Sequence, residues 1–218
     1  MPLAIFDLDN TLLDGDSDYL WGVFLAENGI VDRDHYEREN ERFYREYKEG
    51  RLDIHEFLRF SLAPLARHSP EELGRLRDRF VREKIDPIVL PKARALVEQH
   101  RSAGDRLLII TATNRFVTAP IAARLGIDDL IATEPAMRDG RYTGEPDGVP
   151  SFREGKVIRL EQWLVAHDCR LADSCFYSDS HNDVPLLERV ERPVAVDPDP
   201  QLAAIACERG WPVLSLRG

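Results

Sequence analysis

The chain has 218 residues, of which 43% are hydrophobic and 31% charged, and a formal net charge of −10. This balance excludes a disordered or fibrous protein, and the length suffices for a full core, as one domain or as a core with a sizeable insertion. The acidic excess argues against a general nucleic-acid or anionic-membrane surface, which needs a basic stripe, but leaves room for a local cationic pocket.

The first element is a short apolar strand, "LAIF". It runs into "DLDNTLLDGDSD", which sets Asp7, Asp9, Asp14, Asp16 and Asp18 close together. Carboxylates this near one another repel, and at a strand end the repulsion costs stability unless a cation or hydrogen-bond donors offset it. From Gly15 to about Pro87 the pattern changes to charged amphipathic helices without strand signals, "SDYLWGVFLAENG", "HYERENERFYREYKEG", "DIHEFLRFSLAPLA" and "SPEELGRLRDRFVRE". They are expected to form a helical bundle, residues 15–87, inserted into a core made of residues 1–14 and 88–218.

Beyond the insertion, helix and strand alternate. Pro91 opens a helix that ends before Gly104, and "RLLIITA" at 106–112 is strand. "NRFVTAPIAARLG" is a helix closing at Gly126, and further strands follow at 129–133, 174–178, 192–196 and 211–216. "AMRDGRYTGEPDG" carries Asp-Gly turn chemistry between extended segments and reads as a β-hairpin. The whole predicts an α/β fold, a Rossmann-like parallel sheet covered on both faces. Cys169, Cys175 and Cys207 are odd in number and lack CxxC spacing, so they read as reduced thiols. No stretch has the length and apolarity of a membrane span, and no basic leader pattern is seen, so a cytoplasmic monomer or homodimer is expected.

Three strand ends carry chemistry-bearing residues. Asp7 and Asp9 leave the first strand at its C-terminal end, where open α/β sheets place ligands. Taken alone, a D-x-D is a turn cap. Thr111 and the amides after it end a second strand ahead of a helix, a cradle for a phosphate oxygen. "FYSDSHND" ends a third with Asp179, Asn182 and Asp183. Acids at two strand ends can share one hard cation with oxygen ligands, and Mg2+ suits such a site. Lys156, on a helix in "REGKVIRL", would be read as solvated on its own.

D-x-D-x-T, then Thr, then Lys, then "DSHND", in this order on this strand pattern, resembles the haloacid dehalogenase superfamily. With a helical insertion directly after the first motif, the chain is most similar to its phosphoserine-phosphatase-like branch. The resemblance implies that Asp7 is the nucleophile and that Asp9 is the acid and base. It implies Mg2+ held by Asp7, the Asp9 carbonyl and Asp179. Thr111, the Ala112 amide, Lys156 and Asn182 would hold the phosphoryl oxygens, and Asp183 would orient Lys156 or the metal ligands. An acid at position 9 favours turnover of phosphate esters, since the related ion pumps carry Thr there.

The resemblance also makes the inserted helices a cap that selects a small phosphate ester. Asp16 falls where phosphoserine phosphatases receive the substrate amine, with Asp18 close behind, although either could simply cap the helix that starts near Ser17. A calcium loop fails, because Tyr19 and Leu25 occupy its glycine and bidentate-acid positions. Where the family reads a carboxylate with an aromatic residue and an arginine, this chain has Ile54 and Ser61, unless Arg51 or Arg59 substitutes. An amine-bearing ester without a carboxylate fits better, and histidinol phosphate is favoured, its ring stacking on Trp21, Phe24 or Tyr44 if these are not cap-core residues. His181 reads as a bystander. Phosphoserine hydrolysis, phosphoryl transfer by a mutase, and a non-enzymatic phosphate-binding protein are the alternatives.

Overall fold

Alternating apolar side chains in "LAIF" and "RLLIITATN" decide the centre of the molecule. In the computed structural model, which describes residues 2–218, Phe6, Ile109 and Tyr177 point to one face of a sheet, and Ile5, Leu108, Ile110 and Phe176 to the other. Both faces are buried, as a strand inside a doubly covered parallel sheet requires. The strands are β1 (Leu3–Phe6), β2 (Arg106–Asn114), β3 (Asp129–Arg138), β4 (Arg141–Asp147), β5 (Cys175–Ser178), β6 (Arg192–Val196) and β7 (Val213–Leu214). Their order is β4-β3-β2-β1-β5-β6-β7. All pairs are parallel except β3 with β4.

The hairpin forms as expected, with its turn at Asp139 and Gly140, both at positive φ, the conformation of the tight turn that matches strand twist. The strand expected at 129–133 runs on to Arg138, because it continues out of the core sheet as the first arm of that hairpin.

Between β1 and β2 lie α1 (Ser17–Glu27), α2 (Arg33–Lys48), α3 (Ile54–Arg67) and α4 (Pro70–Phe80), the last running into a π-helical turn at Val81–Ile85. Each start has its own cap: Asp16, Asp32 and Asp53 accept from first-turn amides, and Ser69 with Glu72 forms a reciprocal capping box. The chain leaves and returns side by side, Leu13 bridging Val89 and the Asp14 amide donating to the Ile88 carbonyl at 2.7 Å. Leu12, Trp21, Phe24, Leu58, Phe80, Leu90 and Phe116 belong to one hydrophobic cluster, so the inserted helices share a core with the sheet. Pro120 in the next core helix lacks the N–H that would bond the Phe116 carbonyl, and Arg77 from α4 donates to that oxygen at 3.2 Å.

The sheet is covered by α5 (Pro91–Ser102) and α6 (Arg115–Arg124) on one face. On the other lie α7 (Glu154–Ala166), the short α8 (Val184–Leu187) and α9 (Pro200–Arg209). The three cysteines are free. Among the described residues, no helix is long and apolar enough to cross a membrane.

One glycine sets where α7 begins. A Cβ on Gly155 would lie 2.0 Å from the Pro150 carbonyl oxygen, a backbone atom that cannot move aside. Gly155→Ala is therefore expected to push the first turn of α7 outward and to cost about 1–3 kcal/mol of stability, read as a lowered urea midpoint. An unchanged midpoint would show that this approach is not needed.

Candidate active site

The order β2-β1-β5 puts three strand ends next to one another. Phe6 pairs with Ile109 on one side and Tyr177 on the other, so the residues that follow, Asp7, Thr111 and Asp179, emerge together at the C-terminal edge. The Asp7 amide continues the ladder by donating to the Tyr177 carbonyl at 2.9 Å. Lys156, from the first turn of α7, crosses to this point and is 3% exposed. Its Nζ lies 2.7 Å from Asp7 Oδ1 and 2.8 Å from Asp183 Oδ2. Ser178 Oγ donates to the same Asp183 oxygen at 2.7 Å, so Asp183 is held from two sides.

Thr11 joins the other acids. Its hydroxyl lies 3.4 Å from Asp7 Oδ2 and 3.3 Å from Asp179 Oδ1, and it accepts from the Asp179 amide at 3.1 Å. Asp9 turns the other way, to the start of α1. Its Oδ1 accepts from the Ser17 amide at 2.6 Å, and its Oδ2 from Thr113 Oγ at 2.9 Å and Thr111 Oγ at 3.3 Å. The free N–H groups of a helix start favour such a carboxylate.

The electrostatics follow from this crowding. Burial pushes Asp7 up to about 7; Lys156 opposes the rise, and Asp183 and Asp9 add to it. Burial likewise raises Asp9 to about 6, helped by Asp16 and opposed by the Ser17 and Thr113 hydrogen bonds. Asp179 is held well above the usual carboxylate range by burial and by repulsion from Asp7 and Asp183. For Lys156, burial works against the charge, but the two carboxylates outweigh it and raise the ammonium above its ordinary value. Four acids thus surround one cation, a set whose charged forms need a further positive charge.

Among the described residues, no three Asp, Glu, His or Cys side chains converge as a ready cage for a cation. The donor set still suits Mg2+, which takes one or two carboxylates and keeps several waters. Asp7 and Asp179 meet at the Thr11 hydroxyl, and all the donors are hard oxygens. The site therefore fits the expected metal chemically.

Above these residues the cap closes a pocket lined by Asp16, Asp18, Tyr19, Asn40, Phe43, Tyr44, Tyr47, Ile54, Phe57 and Phe152, with Asp7, Asp9, Thr111, Ala112, Thr113, Lys156 and Asp183 at its floor. Asp179 instead borders an adjoining cleft that shares Tyr44 and Tyr47 with the pocket. Asn182 is near but differently engaged. Its Nδ2 donates to the Tyr47 carbonyl and to Ser180 Oγ, both at 3.2 Å, and its Oδ1 accepts from Arg153 Nε at 3.0 Å.

Asp16 does act as the cap of α1, its Oδ1 accepting from the Asp18 and Tyr19 amides at 3.0 and 2.9 Å. Trp21 and Phe24 pack against Phe80 in the core and do not line the pocket, while Tyr44 does. Ile54 lines the pocket and Ser61 is buried behind it, whereas Arg51 and Arg59 lie exposed outside. His181 is bonded to Asp199 at 2.7 Å and does not reach the pocket.

Four participants escape a reading of the motifs. Thr113 was within reach, since "TATN" on a strand sets Thr111 and Thr113 on one face. Ser178 sits in a motif but is masked by the acids around it. Asn40, from the middle of α2, and Tyr47, in its last turn, carry no local signal, and the Tyr47 phenol is raised well above its ordinary value by burial and by Asp179, Asp183 and Asp7.

Known proteins are similar to this chain. The family model for haloacid dehalogenase-like hydrolases matches residues 4–188. A histidinol-phosphatase of Neisseria meningitidis is 49% identical over 99% of both chains. A phosphoserine phosphatase of Mycobacterium tuberculosis is 33% identical over 98% of this chain and 70% of its own. Among solved structures, a Bordetella pertussis protein of unknown function superposes with a TM-score of 0.94 at 50% identity, covering 99% of both chains. A substrate-bound phosphoserine phosphatase superposes at 0.72 with 18% identity, over 99% of this chain and 93% of the other, a likeness of fold. With acids and threonine gathered on adjacent strand ends, a lysine reaching them from α7 and inserted helices above, and with these relatives, the chain belongs to the haloacid dehalogenase-like hydrolases and is a phosphatase of that family.

Proposed function

We propose that the protein is a Mg2+-dependent phosphomonoesterase that works through an aspartyl-phosphate and acts on histidinol phosphate. The observation that carries the substrate is the make-up of the pocket's upper wall. It offers two carboxylates, Asp16 and Asp18, and aromatic faces, but no arginine. A nitrogen-bearing group finds partners there, whereas a substrate carboxylate meets like charge and no bidentate reader. The 49% identical histidinol-phosphatase supports the same reading.

The Asp7 carboxylate attacks phosphorus, and the ester oxygen leaves with the proton held by Asp9. Burial keeps Asp9 at about 6, high enough to carry that proton near neutrality and low enough to take one back from the water that splits the acyl phosphate. Lys156, held between Asp7 and Asp183, faces the charge that develops on the phosphoryl oxygens. The Thr111 hydroxyl and Ala112 amide complete that face, and Asn182 joins it when the cap shifts and frees it from the Tyr47 carbonyl. Asp7, the Asp9 carbonyl and Asp179 would hold Mg2+, which when bound neutralises the acids and polarises the phosphoryl group. The inserted helices, residues 15–87, act as the cap that excludes water and selects the leaving group.

Phosphate release from histidinol phosphate is expected to stop on chelation with EDTA, to return with added Mg2+, and to fall by at least 10³-fold in Asp7→Asn; turnover surviving either change would overturn the mechanism. In a panel at one Mg2+ concentration, kcat/KM should be highest for histidinol phosphate, ahead of phosphoserine and phosphoethanolamine. A lead for phosphoserine would show that a carboxylate is accommodated despite the missing arginine.

The buried acids also predict a pH signature. Asp9 is raised from 3.8 to about 6, so its ionisation weakens the folded state: stability present below pH 4 is lost as pH rises through about 6. Metal-free Asp9→Asn escapes that loss. Calorimetry should find it melting above metal-free wild type at pH 8, with the gap closing between about pH 6 and 4. A gap that stays constant across this range would count against the burial argument.

A further inference from the structure

We propose that Asp18 and the amide oxygen of Asn40 form the specificity site for the leaving group, receiving the N–H edges of a flat nitrogen-containing ring. The proposal deepens the reading of the pocket given above and rests on it.

The two acids at the start of α1 are used differently. Asp16 has an oxygen occupied by two backbone amides. Asp18 is 8% exposed, lines the pocket, and has no donor on its carboxylate among the described residues. A carboxylate so placed costs stability and does nothing for the fold in return. Its one free direction is the pocket.

Asn40, from α2, is 5% exposed and lines the same pocket. Its Nδ2 donates to the Tyr19 carbonyl at 2.9 Å, which fixes the amide and leaves Oδ1 as the end free to accept. Gly22 is what lets it stand there. A Cβ at that position would lie 2.8 Å from Asn40 Nδ2 and 3.0 Å from its Cγ and Oδ1, so any other residue would displace the amide.

Asp18 and Asn40, with Asp16, whose second oxygen accepts no hydrogen bond among the described residues, therefore border a space walled by Tyr19, Phe43, Tyr44 and Phe57. An ammonium would use these acceptors but not the aromatic walls, and it loses a tight hydration shell on entering. A planar ring matches better: its N–H groups lie in the plane, where acceptors can meet them, and its faces stack on aromatic walls. Imidazole has that shape, and its cationic form adds a charge-assisted bond to Asp18.

The test compares wild type, Asp18→Asn and Gly22→Ala on histidinol phosphate, phosphoethanolamine and p-nitrophenyl phosphate, alongside melting temperatures. Both variants should lose about 10- to 100-fold more kcat/KM on histidinol phosphate than on the other two esters, chiefly through KM. Asp18→Asn should melt at or above wild type. Equal losses on all three esters, or a loss on phosphoethanolamine as large as on histidinol phosphate, would overturn the assignment to a ring.

Failure of the substrate reading shows separately. If wild type does not favour histidinol phosphate, the substrate is wrong, and the ring site is then judged by product competition. Free histidinol should inhibit p-nitrophenyl phosphate hydrolysis more strongly in wild type than in Asp18→Asn, with ethanolamine showing no such difference. Equal inhibition by histidinol in the two proteins would overturn the site.

Discussion

The buried ion pair of Lys156 with Asp7 and Asp183 is the constraint on which the rest of the structure depends. A lone ammonium in that position would be very costly, and so would either carboxylate. The three hold one another at 2.7 and 2.8 Å, and each comes from a different part of the chain: the end of β1, the start of α7 and the turn after β5. Gly155 lets α7 begin close enough for Lys156 to reach, and Ser178 holds Asp183 from behind. The parallel sheet brings the strand ends together, and this triad turns that proximity into a fixed geometry at Asp7, the carboxylate proposed to attack phosphorus.

Around the triad, the inserted helices are tied to the loops of the proposed site through backbone atoms as well as side chains. Asp9 accepts from the first amide of α1, so the proposed acid and base is also a cap of the inserted segment's first helix. Asn182 donates to the Tyr47 carbonyl, and Arg153 donates to both Asn182 and the Gly50 carbonyl. Arg153 itself adopts φ 50 and ψ −122, a backbone region that non-glycine residues rarely occupy. That strain sits two peptide bonds before Gly155, at the junction where α7, the cap turn and the loop after β5 converge. These bonds link the inserted helices directly to the residues proposed to hold the phosphoryl group.

Much of this was legible from the sequence, for a physical reason. Strand ends, Asp-Gly turns, and helix starts with Asp or Ser are local features, written in neighbouring residues. The sheet, the hairpin and the acids at the ends of β1 and β5 could be read from them. The illegible parts depend on distant packing. Nothing near Trp21 or Phe24 says that they face Phe80 and Phe116 while Tyr44, on the next helix, faces the pocket. Asn40 and Tyr47 lie in a highly charged amphipathic helix whose local pattern does not mark them as facing the pocket, and at Gly22 the close approach of α1 and α2 leaves room for Asn40. The extension of β3 to Arg138 was missed because a strand entering a hairpin has no boundary of its own.

The ambiguity of Asp16 and Asp18 resolves into a division of labour that follows from helix geometry. Only one side chain can sit at the N-cap, where backbone N–H groups converge, and Asp16 holds that place. Asp18, one turn position further on, has lost access to those donors but not its burial, so its charge is left to whatever occupies the pocket. The same logic extends across the site. Asp7, Asp9, Asp18 and Asp179 are all raised by burial, and among the described residues Lys156 is the one cation lining the pocket that the first three share. A fold carrying this much unmatched acid is less stable alone than with cationic partners bound, because anything that binds only the folded state and relieves that repulsion stabilises it by mass action. The proposed hard cation at the floor and nitrogen-bearing leaving group at the roof would relieve it at both ends. Of the five aspartates near the N-terminus, Asp14 pairs with Arg217 and Asp16 caps α1, so the cost of folding falls chiefly on Asp7, Asp9 and Asp18, where the two proposed ligands would offset it in two different places.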